Sequence, residues 1–421
     1  MLPVFLLVPV IIIVLLMATT VSATTAATAA TSIFALGSNG SGQLGILHRQ
    51  DVSVPKPIVF DPAPPSSPIV RLATGGNHTL LLTADGDVYC TGDAASGACG
   101  LTSHLAATAA LADAAVFRPI NLGLGGTIRN SRDCTSSSMR RGGTVVTLMA
   151  ATWEASIFVL RDDDGRARHT YTVGTGLKGE LGQGEIMVKT PIATLLQEFP
   201  PPEEDSDAEF VDIAACMSHV VAVLSNGHVY GWGAGRKGQL GNPIAATVSR
   251  PRRIDAPFPV ARAVCGRDFT VLFAAPACGR SLVLGSSPWK RDDELSTVRD
   301  WLDVGASWRA VYVLDKAGIV HGWGSDDHGG LPPPGLPRIV RLALGSEHVV
   351  ALSNEGDVLA WGWGEHGNCG PTASDAVDVK GTWTVVASHK YIPSECRISD
   401  IGAGCATSWV FITKVASPLS P

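Results

Sequence analysis

The chain has 421 residues and a net charge of −6, and only 17% of its residues are Asp, Glu, Lys or Arg. A chain of this length commonly forms two or three domains, although repeat folds run longer as single units. The negative charge excludes the clustered basic face that a nucleic-acid backbone requires. The 46 glycines and many short aliphatic runs favour an all-β protein with a large core.

The chain begins with an apolar leader. Leu2 to Met17 is almost wholly apolar, and an Ala/Thr-rich stretch follows it. The run resembles the hydrophobic region of a signal peptide, although no Lys or Arg precedes it. It is also short for a membrane span. A secretory signal, a membrane anchor and a wrongly assigned start codon all stay open.

A glycine-rich corner recurs from residue 37 onward. Its pattern is a Gly, four residues, a second Gly, one residue, Leu and a final Gly, as in Gly233 to Gly241. Glycines so spaced indicate backbone that turns sharply or packs where no side chain fits. Clear copies begin at Gly37, Gly92, Gly174, Gly233 and Gly362, and weaker copies begin at Gly285 and Gly324.

Apolar strands with small residues at their heads alternate with these corners. The best-preserved unit, His219 to Gly241, joins two apolar strands through Asn226-Gly227, which is the strongest short-range signal for a hairpin. A single hairpin is at best marginally stable in water and therefore needs copies. The strand heads lie at 73–82, 149–160, 214–223, 263–273, 303–314, 342–352 and 402–412.

The offset between corners and heads determines the architecture. The first corner has no strand head before it, and the last head has no corner after it. Seven corners and seven heads therefore pair only if the two chain ends complete one unit together. An open solenoid would end in capping repeats, whereas a closed ring leaves no bare sheet edge. The sequence predicts an all-β, seven-bladed β-propeller closed by strand exchange between the N- and C-terminal ends.

Insertions interrupt the repeat, and they are where function is expected, because propeller loops crowd the two faces. The stretch 200–209, PPPEEDSDAE, is predicted to be an acidic solvated loop. The expected regions are a leader at 1–31, a propeller at 32–415 with loop insertions at 101–143, 185–209 and 371–397, and a tail at 416–421.

The repeat motifs carry a family resemblance. The combination of G-x-x-H-x-x-x-L, a turn, V-Y-x-W-G and G-Q-L-G resembles the regulator of chromosome condensation repeat over residues 33–412. The opening SIFALGSNGSGQLGILHRQDVSVPKPI is similar to that of fungal alpha-tubulin suppressor-like proteins and animal secretion-regulating exchange-factor-like proteins. The resemblance implies a seven-bladed propeller that binds another protein.

In the fungal group, the resemblance implies an accessory protein of diphthamide synthesis and of tRNA wobble modification. Such a protein acts in the cytoplasm or nucleus by binding a small metal-carrying CSL-type partner. An alternative is a guanine-nucleotide exchange factor for a small GTPase, as in the chromosome-bound founding member. That member uses a β-wedge, which cannot be identified here, and a basic arm, which the apolar leader replaces. A third alternative is a secreted or membrane-tethered propeller, in which the leader is a genuine targeting segment.

No pattern indicates an enzyme, a cofactor or a metal site. His78, His219 and His348 are equivalent residues a blade or more apart, so we interpret them as structural, because zinc needs convergent ligands. The chain has no GxSxG elbow and no phosphate-binding loop. Its nine cysteines form no CxxC pair, and we interpret most of them as free, small buried hydrophobic residues.

Tryptophans supply the partner-binding hypothesis, because Trp is enriched at interface hot spots. Trp232, Trp323 and Trp361 belong to the repeat and are expected to pack in the core. Trp308 is aligned with the strand-head histidine, and other tryptophans also lie off the repeat position. The hypothetical partner-binding residues are Trp289, Arg291, Trp301, Trp308, Arg309 and Trp383.

Overall fold

The computed structural model describes residues 31–102, 115–122, 145–286, 289, 299–372 and 377–415. Residues 1–30 of the expected leader, most of the insertion at 101–143 and the tail from 416 lie outside the described residues. The described chain forms seven antiparallel sheets, each of which is one blade of a propeller. Among the described residues, no helix is long and apolar enough to cross a membrane.

Each blade is built from three to five strands, and six of the blades are continuous in sequence. The chain starts with β1 (Thr31–Gly37) and β2 (Val52–Pro57). Blade 1 contains β3 (Ile69–Thr74), β4 (His78–Thr83), β5 (Val88–Gly92), β6 (Leu101–Thr102) and β7 (Arg118–Asn121). Blade 2 contains β8 (Val146–Ala151), β9 (Ala155–Arg161), β10 (Ala167–Thr175) and β11 (Lys189–Leu195). Blade 3 contains β12 (Phe210–Cys216), β13 (His219–Leu224), β14 (Val229–Ala234) and β15 (Thr247–Ile254).

The remaining blades vary in length. Blade 4 contains β16 (Arg262–Cys265), β17 (Phe269–Phe273) and β18 (Ser281–Gly285). Blade 5 contains β19 (Trp301–Ala306), β20 (Ala310–Asp315) and β21 (Val320–Gly324). Blade 6 contains β22 (Ile339–Leu344), β23 (His348–Ser353), β24 (Asp357–Trp363) and β25 (Asp378–Ser388). Blade 7 contains β26 (Cys396–Gly404) and β27 (Thr407–Lys414) together with β1 and β2.

Blade 7 closes the ring. Its strand order is β2-β1-β27-β26, so each chain end supplies two strands. β1 and β27 pair in continuous register from Thr31 opposite Thr413 to Gly37 opposite Thr407. The predicted strand exchange between the N- and C-terminal ends is therefore confirmed, as is the number of blades.

The first strand of each blade lines a central channel. These inner strands are β3, β8, β12, β16, β19, β22 and β26, and each contacts the next around the ring, with β26 contacting β3. The antiparallel order places all glycine corners and all turns between first and second strands at one end, here called the corner end. The turns between second and third strands lie at the opposite end, called the hairpin end.

The G-x-x-H motif joins neighbouring blades. The Nε2 atom of His78 lies 3.0 Å from Ser156 Oγ on blade 2. His219 makes the same contact with Thr270 at 3.0 Å, and His348 with Ser408 at 2.9 Å. All three rings are buried. These histidines therefore connect blade 1 to 2, blade 3 to 4 and blade 6 to 7.

The glycine of this motif makes room for the ring. A Cβ atom on Gly75 or Gly345 would overlap the following His78 or His348 ring. Blade 4 keeps the arrangement with a different aromatic residue, because Phe269 stands in the histidine position and its ring fills the space above Gly266. The motif therefore encodes an aromatic ring packed against a glycine that has no Cβ atom.

The repeat tryptophans pack largely as expected. Trp232 and Trp361 are fully buried. Each donates its indole N–H to a carbonyl of the preceding blade's corner, Trp232 to Glu180 at 2.8 Å and Trp361 to Gly330 at 2.9 Å. Trp323 is only partly buried and stacks on His321 with ring centroids 6.1 Å apart.

Two expectations about loops are corrected by the structure. The regions expected as insertions at 185–209 and 371–397 include β11 and β25, the outer strands of blades 2 and 6. The acidic stretch 200–209 is not a fully solvated loop, since it holds a short helix, α1 (Pro202–Asp205), and Asp205 is buried. Tyr230 donates to the Asp205 carboxylate at 2.6 Å, and His228 Nδ1 lies 2.7 Å from it, which offsets the cost of burial.

The expectation of free cysteines is corrected at one pair. Cys90 on β5 and Cys99 in the corner that follows form a disulfide with Cα atoms 5.6 Å apart. Cys99 stands where other corners have Leu, and that position packs under the third strand, so it meets Cys90. The remaining described cysteines, at 216, 265, 278, 369, 396 and 405, are free.

The buried histidines predict a loss of stability at mildly acidic pH. Burial lowers the pKa of His78, His219 and His348 from 6.5 to about 4. Above pH 6.5 the neutral rings therefore make their full contribution to the free energy of unfolding. This contribution declines as the pH falls towards 4, because the histidines of the unfolded chain bind protons first. For each of these rings, the free energy of unfolding is expected to fall by about 2 kcal/mol when the pH is lowered from 7.5 to 5.

Urea unfolding at both pH values checks this. His219→Gln keeps a hydrogen-bonding side chain without a titrating ring, so it should shrink the pH-dependent loss by about 2 kcal/mol. His48→Gln is the matched control, because His48 is exposed and should leave the loss unchanged. An unaltered pH dependence in His219→Gln would contradict the assignment.

Candidate functional site

The turns at the corner end are joined by backbone hydrogen bonds in two arcs around the channel, one over blades 1 to 3 and one over blades 4 to 7. Gly76 donates its backbone N–H to Trp153 at 2.9 Å, and Trp153 donates to Met217 at 2.8 Å. On the other side, Arg267 donates to Trp308 at 3.0 Å and Trp308 donates to Ser346 at 2.8 Å. Each bond joins a turn to the turn of the neighbouring blade. Within each arc the turns are therefore fixed to one another.

Two tryptophans from opposite sides of this ring meet over the channel. Trp153 belongs to blade 2 and Trp308 to blade 5, and their ring centroids lie 5.9 Å apart at an angle of 44°. Both rings line the channel cavity at its corner end. Trp153 is 36% exposed and Trp308 is partly buried, so both rings are accessible to solvent.

The local sequence explains how the pair is held. Gly76 lies against the Trp153 indole, and a Cβ atom there would overlap the ring. The alignment of Trp308 with the strand-head histidine is wrong. Ala310 pairs with Gly324 as His348 pairs with Gly362, so Ala310 holds the histidine position. Trp308 lies two residues earlier, in the turn itself.

A second aromatic cluster lies at the corner end of blades 5 and 6. The Trp363 ring is 5.3 Å from the His366 ring and 6.4 Å from the His328 ring. His328 contacts Glu347 at 3.5 Å, and Glu347 follows Ser346, which accepts the hydrogen bond from Trp308. These contacts connect the two aromatic groups. We call them together the tryptophan face and define it by Trp153, Trp308 and Trp363.

Ion pairs surround the tryptophan face. Arg309 lies 2.7 Å from Asp327, and both side chains are well exposed. His366 Nδ1 lies 2.7 Å from Asp51, which links the corners of blades 6 and 7. A polar, solvated rim around exposed aromatic rings is the arrangement found in protein interfaces.

The six residues of the partner-binding hypothesis are not brought together. Trp308 and Arg309 lie at the tryptophan face. Trp301 is buried at the other end of β19 and packs on Phe273. The Trp289 ring packs against Phe269, with ring centroids 5.2 Å apart. Trp383 is partly buried against the core of blades 5 to 7. Arg291 lies outside the described residues.

The hypothesis omitted Trp153, Trp363 and the two neighbouring histidines. A signal for Trp153 existed in the sequence, because AATWEAS and GASWRAV place Trp153 and Trp308 in the same turn position of their blades. The signal was missed because Trp308 was aligned with the histidine. Trp363 follows the repeat Trp361-Gly362 directly, and no sequence pattern distinguishes it from a residue of the repeat.

The hairpin end of the channel carries a ring of charges at one level of the inner strands. The level is marked by a bulge in most blades, where the strand register shifts by one residue. In blade order, the residues at this level are Arg71, Leu148, Asp212, Arg262, Asp303, Arg341 and Asp400. Charges of opposite sign alternate around the ring except at Leu148.

The ion pairs in this ring are unevenly distributed among its charged residues. Arg262 lies 3.6 Å from Asp212 and 3.5 Å from Asp303, and Arg341 lies 3.9 Å from Asp400. Burial raises the pKa of the Asp303 and Asp400 carboxyls, against the opposing effect of the neighbouring arginines. Arg71 has no ion pair with any described residue.

Between the two ends lies a cavity of about 320 Å³. Its walls are mostly small residues of the inner strands, and its charged lining consists of Arg71, Asp212 and Arg262. In the described part of the chain, no group of three or more His, Cys, Asp or Glu side chains is placed to hold a metal ion.

Comparisons with known proteins agree with this architecture. A family model described as the Regulator of chromosome condensation (RCC1) repeat matches residues 32–82 and 226–273. A second model with the same description matches residues 69–103, 210–239 and 339–368. The matches fall on blades 1, 3, 4, 6 and 7.

Relatives match over most of the chain. An RCC1 repeat-containing protein of Schizosaccharomyces pombe is 30% identical over 392 residues, covering 91% of this chain and 99% of the relative. The secretion-regulating guanine nucleotide exchange factor of Mus musculus is 23% identical over 446 residues, covering 92% of this chain and 85% of the relative. Yeast RCC1 (Prp20), solved bound to Kap60, has a TM-score of 0.71 at 17% identity, covering 95% of this chain and 96% of that one.

Proposed function

Because the chain belongs to the regulator of chromosome condensation repeat family, we propose that it is a non-enzymatic propeller scaffold that binds another protein through the tryptophan face. The observation that carries the proposal is the meeting of Trp153 and Trp308 over the channel, with ring centroids 5.9 Å apart and Trp153 36% exposed. Exposed Trp side chains bury much area with little loss of entropy on binding.

The rigidity of the site supports the same proposal. The backbone of Trp153 and Trp308 is bonded to neighbouring blades on both sides, so the aromatic rings are already held in place. A site ordered before binding loses less entropy when the partner docks. The flanking Arg309–Asp327 pair offers charges that orient a partner while adding little affinity.

We propose that the partner is the small metal-carrying CSL-type protein of the diphthamide and tRNA wobble-modification pathways, with the complex in the cytoplasm or nucleus. The family resemblance to the fungal alpha-tubulin suppressor-like group supports this assignment. Isothermal titration of the propeller with the purified CSL-type protein of the same organism tests it. An absence of binding would reject this partner without rejecting the tryptophan face.

The tryptophan face predicts which substitutions weaken that binding. Trp308→Ala and Trp153→Ala are each expected to raise the Kd at least tenfold, which is ~1.4 kcal/mol, because each removes a central aromatic anchor. Arg309→Ala should have a smaller effect, since its ion pair is exposed. Isothermal titration with each variant provides the measurement.

Tyr391→Ala is the matched control, because Tyr391 is 89% exposed in the turn after β25, at the hairpin end. It should bind as tightly as the unmodified protein. Circular dichroism and thermal unfolding of each variant separate lost binding from lost folding. Unchanged affinity in both Trp variants, with the fold intact, would place the interface elsewhere.

A guanine-nucleotide exchange factor for a small GTPase is the second candidate. The observation that favours it is the match to the mouse secretion-regulating guanine nucleotide exchange factor along most of both chains. We expect an exchange factor to accelerate release of a fluorescent GDP analogue from its GTPase at least tenfold. No acceleration with any member of a panel of small GTPases would remove this candidate.

A further inference from the structure

We propose that the outer rim of blades 2 and 3 at the corner end docks on a membrane surface that carries anionic lipid headgroups. Four exposed aliphatic side chains would enter the interface, and five exposed basic side chains would lie over the headgroups. The rim lies further from the channel than the turns that carry Trp153 and Trp308, so the inference does not depend on the proposed partner site.

Large aliphatic side chains protrude at this rim. Ile186 is 97% exposed, Leu177 74%, Ile244 64% and Val188 42%. Leu177 is at the tip of the blade 2 corner, and the other three lie in the loops that join third strands to fourth strands. A Cβ atom on Gly238 would lie 3.7 Å from Ile244 Cδ1, so Ile244 packs beside the blade 3 corner.

Backbone contacts hold the loops of the two blades side by side. Gly176 donates its N–H to the Val188 carbonyl at 2.8 Å, which closes the blade 2 loop on its own corner. Gly184, in the same loop, donates to the Ser249 carbonyl of blade 3 at 2.8 Å. A Cβ atom on Gly184 would lie 3.3 Å from the Arg250 guanidinium. The aliphatic side chains therefore belong to one rim, and clustered exposed apolar groups mark an interaction surface.

Basic side chains accompany these aliphatic groups. They are all exposed, they form no ion pair with any described residue, and they are Lys178, Lys189, Arg236, Lys237 and Arg250. Fewer acidic residues lie here. Glu154 and Glu185 are exposed, whereas Glu180 is buried and its carboxylate accepts from the Lys178 backbone N–H at 2.6 Å. The rim is therefore positive, although the whole chain carries a net charge of −6.

The corner tips carry opposite charges on opposite sides of the ring. At the same two positions of the corner, blade 2 has Leu177-Lys178 and blade 3 has Arg236-Lys237, whereas blade 5 has Asp327-His328 and blade 6 has Glu365-His366. An anionic surface attracts the first side and repels the second. The propeller would therefore dock tilted, with blades 2 and 3 against the surface and blades 5 and 6 turned away.

The composition of the rim favours a lipid surface over a protein partner. Lys is depleted in protein interfaces, and Leu and Val are under-represented among their hot spots. Exposed aliphatic groups beside Lys and Arg are instead typical of surfaces that lie on anionic bilayers, where each basic residue adds electrostatic attraction. The aliphatic groups also stand on separate loops, which a fluid interface can surround individually.

Co-sedimentation of the full chain with lipid vesicles tests the proposal. Vesicles of phosphatidylserine and phosphatidylcholine in equal amounts should bind the protein at least tenfold more tightly than vesicles of phosphatidylcholine alone. Added salt should weaken this binding, because it screens the attraction between the rim and the headgroups. The leader at 1–31 contains no Lys or Arg, so it should not distinguish the two kinds of vesicle.

Ile186→Ser and Lys237→Glu should each weaken binding to the anionic vesicles at least tenfold, since one removes an inserted side chain and the other reverses a charge. Ile319→Ser and Lys316→Glu are the matched controls. Ile319 is 55% exposed and the Lys316 side chain 61% exposed, both in the turn between second and third strands of blade 5, at the hairpin end. Both controls should bind vesicles as the unmodified protein does.

Thermal unfolding confirms that each of the four variants is folded. Equal binding to the two kinds of vesicle, or unchanged vesicle affinity in both Ile186→Ser and Lys237→Glu, would overturn the proposal. Weaker binding of the protein partner by Lys237→Glu, with no preference for anionic vesicles, would overturn it in favour of a protein interface at this rim.

Discussion

The pairing of β1 with β27 is the constraint on which the rest of the structure depends. A propeller blade buries its two faces only against its neighbours, so an open ring would expose one face of blade 1 and one face of blade 7 to water. The seven residue pairs between Thr31–Thr413 and Gly37–Thr407 prevent this by making the last blade from both chain ends. The cost of closing so long a loop grows only slowly with its length, whereas the buried area gained is that of two complete blade faces.

Closure also gives the channel its two different ends. At the corner end, turns bonded from blade to blade bring Trp153 and Trp308 together. At the hairpin end, the bulges of the inner strands present charges beside exposed aliphatic side chains. One continuous wall of inner strands connects the two ends. Ala, Gly and Cys residues of these strands line the cavity between the two ends, and each end presents different groups for contact.

Much of the fold could be predicted, because the residues that define the repeat have structural roles that depend only on the neighbouring chain. Gly92, Gly233 and Gly362 adopt positive φ values of 111°, 102° and 102°, which other residues rarely do, so their spacing marks the corners directly. The contact between Trp153 and Trp308 depends instead on which blades lie opposite one another, and a list of strands does not contain that information. Asp205 is similar, since its burial depends on donors from the next strands. Cys90 and Cys99 meet because a corner lies close to its own third strand, and the number and spacing of the cysteines do not contain that information.

The charged level of the inner strands gives the blades an order. Seven is an odd number, so positive and negative residues cannot alternate all the way around the ring, and Leu148 is the neutral residue that lets Arg71 and Asp212 stand two blades apart. Each remaining blade carries a sign opposite to that of its neighbours, as Arg262 does between Asp212 and Asp303. Exchanging blades 3 and 4 would set Asp212 beside Asp303, whereas a circular permutation keeps every neighbour. The repeat makes the blades alike, and this ring makes each of them fit in only one place.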